Sequence, residues 1–334
     1  MQTAYRHRFT PIPPALVTLM ILAALIFESC TLGDEGPHMK FGTTVSDLHV
    51  IHSDGTGDRV LAVGGDFDGL YLGDSTFIVH KWMAEICRAS YTGTTLTQLY
   101  PDIQWMDCSM STDRTRIVLT TYKSTPSNEI YLMNATGTNL IRCSASTGLY
   151  VRARISPDVD EILFDQHTRV GTMGVDGGNP LMIDSSKAPV YLRDPLYVDE
   201  NRILYSVDSG STSLVLYNKL NHVRTLIAAN HSFVYGQHAV RGDTLLCVEL
   251  GMVKLVDLRT NMVTTLSPGI WASFSPDGSK IVYADTWHVY VRDFQSGSSL
   301  AVYSDTDTQK WISQPEMSPD NRFIVFYVNS NVVG

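Results

Sequence analysis

Arg152, Arg154 and Arg193, with Asp194 beside the last of them and His238 further along, are the residues with most chemistry to offer. A guanidinium presents a planar fork of donors that matches a carboxylate or phosphate two bonds at a time. Three such forks converging would make an anion-binding mouth. His238 with Asp194 or Asp68 has the ligand types of a metal site, but no spacing that selects a metal. The competing arrangement is plainer: these charges pair with one another and with water. Asp107 and Glu316 are the nearby carboxylates available for that, and it is the arrangement expected.

No catalytic residue, metal site or cofactor is assigned. There is no Gly-x-Ser-x-Gly nucleophile elbow, and no stretch supplies a nucleophile with its base. Gly64-Gly65-Asp66 lacks the Lys-Ser/Thr of a phosphate loop, and Asp54 to Asp58 lacks the Glu that completes a calcium loop. His49 and His52 flank a hairpin and read as surface residues. Trp271, Trp287 and Trp311 fit packing better than a sugar platform. A net charge of -9 argues against nucleic acid, which calls for a basic footprint.

What must position the arginines is a repeat. Ser-Pro-Asp turns stand at 156–158, 275–277 and 318–320, each followed by a short apolar strand such as Ile281-Val282-Tyr283. Pro presets the turn's φ, and a following Gly such as Gly278 accepts a positive one. A second signature is a strand, a tight turn and a strand, clearest from Glu129 to Arg142. Its turn residues fall at Gly55, Gly93, Gly137, Gly177, Asn221, Asn261 and Gly297, about 40 residues apart, the period of a four-stranded propeller blade. The chain begins with half a unit (Val45 to Ala62) and ends with the other half (Gln309 to Val333). Joining them closes a ring and removes exposed edges. The reading is all-β: a seven-bladed β-propeller of four-stranded antiparallel blades, with a closing blade shared by both ends. Blade one, from Gly64 to Tyr100, lacks the Ser-Pro-Asp turn, so six blades plus a cap is the alternative.

In such a ring the first strand of each blade lines the central channel. Aligning those strands on Met110, Ile155, Leu196, Val240, Phe274 and Met317 brings Asp107, Arg152, Arg154, Arg193, Asp194, Gln237, His238, Gln314 and Glu316 near the axis, with Asp66 and Asp68 from blade one.

Residues 1–29 read as an export signal: Arg6 and Arg8, then an apolar run of about 13 residues from Ala15 to Phe27. That run is short of the roughly 20 residues a spanning helix needs. Phe27-Glu28-Ser29-Cys30 resembles the lipobox of bacterial lipoproteins, which implies lipidation of Cys30. Residues 30–44 then form a tether and 45–334 one propeller domain. Cys87, Cys108, Cys143 and Cys247 lie in apolar runs, as buried thiols or as disulfides.

The Ser-Pro-Asp turns, together with Ile130-Tyr-Leu-Met-Asn-Ala-Thr-Gly137, resemble the TolB-type propeller repeat, which is WD-repeat-like, from about Val45 onward. The resemblance implies an exported cell-envelope protein, periplasmic or surface-facing and held to the membrane only through Cys30. Its propeller is then a rigid platform for an envelope protein or a glycan, with Arg152, Arg154, Arg193, Asp194 and His238 at the channel mouth. Oligogalacturonate lyases have a similar repeat, so a carbohydrate-active enzyme using the channel is the alternative. Their histidine metal site has no match on this chain.

Overall fold

The computed structural model describes residues 44–331 apart from 66, 82–84, 101–102, 122–127, 145–149 and 232–238. Segment 1–29, Cys30, the tether up to residue 43, Asp66, Gln237 and His238 lie outside the described residues, as does the side chain of Asp68.

Seven antiparallel sheets of four strands follow one another along the chain, at residues 67–99, 105–142, 153–185, 191–231, 239–268, 271–304, and 310–331 joined with 44–65. In the first six, strand order in the sheet is strand order in the chain. The inner strands are Phe67–Leu72, Trp105–Met110, Ala153–Ile155, Tyr191–Tyr197, Ala239–Arg241, Trp271–Phe274 and Lys310–Met317. They surround a common axis, and the chain is a seven-bladed β-propeller. Blade one is complete, so no six-bladed ring with a cap forms. Its first turn is made without Ser-Pro-Asp: the Gly73 N–H donates to the Thr76 carbonyl at 2.9 Å. A Cβ on Gly73 would sit 2.8 Å from that oxygen, so only glycine fits.

The second strand of each blade is apolar at nearly every position because it is covered on both faces. Along Glu161–Asp165, Ile162 and Phe164 pack with Val118 and Ile130 of blade two, while Leu163 packs with Leu192 and Ile203 of blade four. Alternate residues of a strand point to opposite faces, so one strand serves two interblade cores. Each fully buried Ile, Leu or Phe contributes about 1.5–3 kcal/mol. Outer strands have only one covered face and leave residues such as Leu181 and Val223 exposed.

The repeated turn is held by its serine. Ser275 Oγ donates to Asp277 Oδ1 at 2.7 Å and accepts the Lys280 N–H at 2.8 Å, tying the inner strand to the second. Ser318 does the same with Asp320 and Phe323, and Ser111 with Asp113 and Arg116. Ser156 accepts the Glu161 N–H at 3.0 Å. These four serines are all buried. Asp277 also accepts the Ser279 N–H at 2.9 Å, and these donors hold its carboxyl well below the usual range.

Blade seven closes the ring. Thr44–His52 pairs with Phe323–Asn331 through a continuous register from Thr44 opposite Asn331 to His52 opposite Phe323. Beneath it, Ser46 Oγ donates to Asn329 Oδ1 at 2.6 Å, and Asn329 Nδ2 reaches Ser313 Oγ at 2.9 Å.

Cys87, Cys108, Cys143 and Cys247 are free and buried. Burial pushes the Cys143 thiol up to about 11 and that of Cys247 up to about 12.

The turn serine should matter more than its exposed neighbour. Ser275→Ala strands the half-buried Lys280 N–H and is expected to cost about 1–3 kcal/mol, against under about 1 kcal/mol for Ser279→Ala, outside the core. Urea unfolding of both variants checks this. Equal losses would show that the hydroxyl is not what holds the turn.

Candidate functional site

Two features flank the axis: a charged wall and a cavity. The wall runs across blades two to four as alternating acids and bases. Arg154 Nη1 donates to Asp107 Oδ2 at 2.7 Å and to the Ala153 carbonyl at 2.8 Å. Arg152 forms an ion pair with Asp194. Between these pairs sits Asp165, at the end of the second strand of blade three. Its Oδ1 accepts the Arg152 backbone N–H at 3.0 Å and its Oδ2 the Asp194 N–H at 3.3 Å.

A bulge places Asp194. Arg193 lies opposite Ser206 and Leu196 opposite Leu204, leaving Asp194-Pro195 as the extra pair. Asp194 takes φ 52°, and Pro195 has no N–H to give the ladder. The same device recurs in blade seven at Gln314-Pro315, where Gln314 has φ 48°. The inserted residue shifts blade four by one, so its last paired inner residue is Tyr197, opposite Ile203, and not Leu196 as the sequence alignment has it.

Of the residues singled out from sequence, Arg152, Arg154 and Asp194 come together in one wall, as pairs. Arg193 turns aside, its guanidinium 4.9 Å from the centre of the Tyr191 ring. His238 lies outside the described residues. Sequence reasoning missed Asp165, which reads as the end of an apolar strand, and His167 beyond it.

Burial sets the protonation of this region. It pushes the Asp165 carboxyl up to about 6, outweighing the pull of Arg152 and Arg154. His167 is lowered by burial and then by Arg193 and Arg152. Glu316, in the inner strand of blade seven, is pushed by desolvation up to about 8, with a hydrogen bond from Ser273 opposing. Glu316 is therefore mostly neutral at pH 7. Among the described residues, no group of three or more His, Cys, Asp or Glu is placed to hold a metal ion.

The cavity opens at the end of the propeller where the inner strands finish and turn outward. Blades two to five enclose about 630 Å³ there. Its apolar lining includes Met110, Ile155, Leu196 and Val240, the four residues on which these strands were aligned from sequence. Among the described residues, Arg154 is the one expected site residue that lines it; Glu200 and Arg241, from the turns of blades four and five, were not expected. The signal was present in Val198-Asp199-Glu200-Asn201, the turn that departs from Ser-Pro-Asp. Asp199 takes over the serine's work, accepting the Asn201 and Arg202 N–H groups at 2.9 and 2.8 Å.

No family model and no curated protein sequence matches this chain. Solved structures do, as folds. An oligogalacturonate lyase of Vibrio parahaemolyticus superposes with a TM-score of 0.61 at 11% identity, covering 86% of this chain and 98% of that one. A structure from Agrobacterium tumefaciens described as TolB gives 0.53 at 13% identity, over 88% and 100%. The C-terminal WD40 domain of Sif2 gives 0.54 at 14%, over 87% and 97%. The TolB-like and WD40-like architecture is shared with these proteins; at such identities the likeness is one of fold.

Glu316 gives a pH test. A carboxyl whose folded value lies above its unfolded one stabilises the fold when protonated. That contribution is complete below about 4.5 and is lost as pH rises through about 8. Glu316→Gln, a mimic of the protonated form, should melt like the parent at pH 5 and above it at pH 9. Parallel melting curves across that range would show that Glu316 is not desolvated.

Proposed function

We propose that the chain is a cell-envelope protein whose TolB-like propeller is a rigid binding platform for a protein or a glycan, engaged at the cavity end of the channel. One observation carries the reading: the arginines best suited to a reacting anion are matched within the wall, Arg154 by Asp107 and Arg152 by Asp194, while a cavity of about 630 Å³ stays open beside them. A half-buried charge met by a fixed partner is poorly placed to change partners during a reaction, since separating the pair leaves two partly desolvated ions. The cavity has the size of ordinary ligand sites, about 300–1,000 Å³. Export through residues 1–29 and a lipid on Cys30 complete the proposal, with the propeller carried on a short tether.

The second reading is a lyase acting on acidic oligosaccharides. It draws on Arg154, which lines the cavity while bound to Asp107.

Thr112 is exposed on the cavity wall, so Thr112→Trp should block the cavity without disturbing the core. Full-length protein used as bait in envelope extracts is expected to capture a partner that Thr112→Trp loses at least tenfold. Conversely, cleavage of oligogalacturonate with a gain of absorbance near 235 nm (about the wavelength of an unsaturated uronate), abolished by Arg154→Ala, would establish the lyase and end the platform reading.

A further inference from the structure

The cavity's own chemistry narrows what it takes, and the argument rests on the platform reading above. Four aliphatic side chains stand in its lining: Met110, Ile155, Leu196 and Val240. A sugar face is usually met by an open aromatic ring, and the single aromatic among the described lining residues is Tyr197. That ring is already engaged. Its hydroxyl donates to Glu161 Oε2 at 3.0 Å, Lys219 Nζ lies 5.9 Å from its centre, and it packs against the core between blades three and four. Aliphatic side chains without a free aromatic face suit a branched hydrocarbon side chain better than a saccharide.

The charges then say which end of the ligand goes where. Arg154 is matched by Asp107 at 2.7 Å and Asp199 by Arg202 at 2.6 Å. Arg241 is different. Its two terminal nitrogens donate to the backbone carbonyls of Pro276 at 2.6 Å and Asp277 at 2.5 Å, in the turn of blade six. Those partners carry no net charge, and no carboxylate among the described residues forms an ion pair with Arg241. The guanidinium lies over Gly278, where any side chain would collide with it, so the turn of blade six holds it in place. Two of its five donors are committed, which leaves others for a ligand. Glu200, in the turn of the neighbouring blade, also lines the cavity; it is exposed, and no cation of the described residues pairs with it. Every residue of the four enclosing turns is described.

We propose that this cavity receives the free C-terminus of a peptide ending in an aliphatic residue. Arg241 holds the terminal carboxylate, the four aliphatic side chains of the lining take the last side chain, and Glu200 accepts an N–H from the residues before it. A polyuronate fits poorly, because it would bring a second and third negative charge against Glu200. With about 630 Å³ available, two or three residues are enclosed and the rest of the partner lies outside.

The test uses the full-length chain and fluorescein-labelled Ala-Ala-Leu as the free acid, as the C-terminal amide, and with Asp in place of Leu, read by fluorescence polarisation. The free acid is expected to bind at least tenfold more tightly than the amide or the Asp peptide. Arg241→Gln should erase the preference for acid over amide, Arg241→Lys should keep part of it, and Thr112→Trp should abolish binding of all three. Melting curves confirm that each variant is folded, and Arg241→Lys serves if Arg241→Gln is not. Acid and amide binding alike, or a preference that survives Arg241→Gln, overturns the proposal. So does silence from the peptides while partner capture still depends on Thr112, and in that case the platform reading stands. Silence together with capture indifferent to Thr112→Trp brings down both.

Discussion

A four-stranded blade with two apolar faces cannot bury both by itself. Everything else in this molecule depends on that constraint. Each second strand is apolar on both sides because a neighbour waits on both sides, as Ile162 and Leu163 show by packing into different cores. An open row of blades would leave one such face wet at each end. The pairing of Thr44–His52 with Phe323–Asn331 removes both wet faces at once, and so sets the requirement that the chain's two ends share one sheet.

The same ring brings the inner strands to a common axis, and there polarity returns. Backbone edges and charged side chains crowd a narrow space, and the sequence resolves the crowding by alternating sign: Asp107, Arg154, Asp165, Arg152, Asp194. Each member has a partner on the next strand or blade. The wall is thus a joint between blades two, three and four as much as a lining. The cavity, by contrast, owes nothing to this network beyond the flank of Arg154. It is lined by the inner strands and turns of four successive blades.

The ring was legible from local chemistry. Seven hairpin turns about 40 residues apart, and half a unit at each end, foretold the blade boundaries closely, because glycine, proline and Ser-x-Asp leave strong marks at turns. Blade one was harder because Gly73 replaces the whole Ser-Pro-Asp device with a single close approach. The channel wall was half legible. That Arg152, Arg154 and Asp194 would be paired could be expected from charge balance, but their particular partners depend on a bulge at Asp194-Pro195, which costs one residue of register and is marked only by its proline. Asp165 was hidden as the last residue of an apolar strand. The cavity was legible only in pieces: Met110, Ile155, Leu196 and Val240 were aligned from sequence, but a lining drawn from four blades is not revealed by any single repeat.

The four cysteines carry a consequence of another kind. Folded, all four thiols are buried, and burial holds those of Cys87, Cys143 and Cys247 toward the protonated form, so an oxidant in the surroundings finds little thiolate to attack. Before folding, the same thiols are open to it. A bridge formed early would join segments that the ring keeps in separate strands, and closure could not then complete. In any oxidising surroundings, folding is a race against the chain's own sulfur chemistry, and each molecule that wins is afterwards exempt from it.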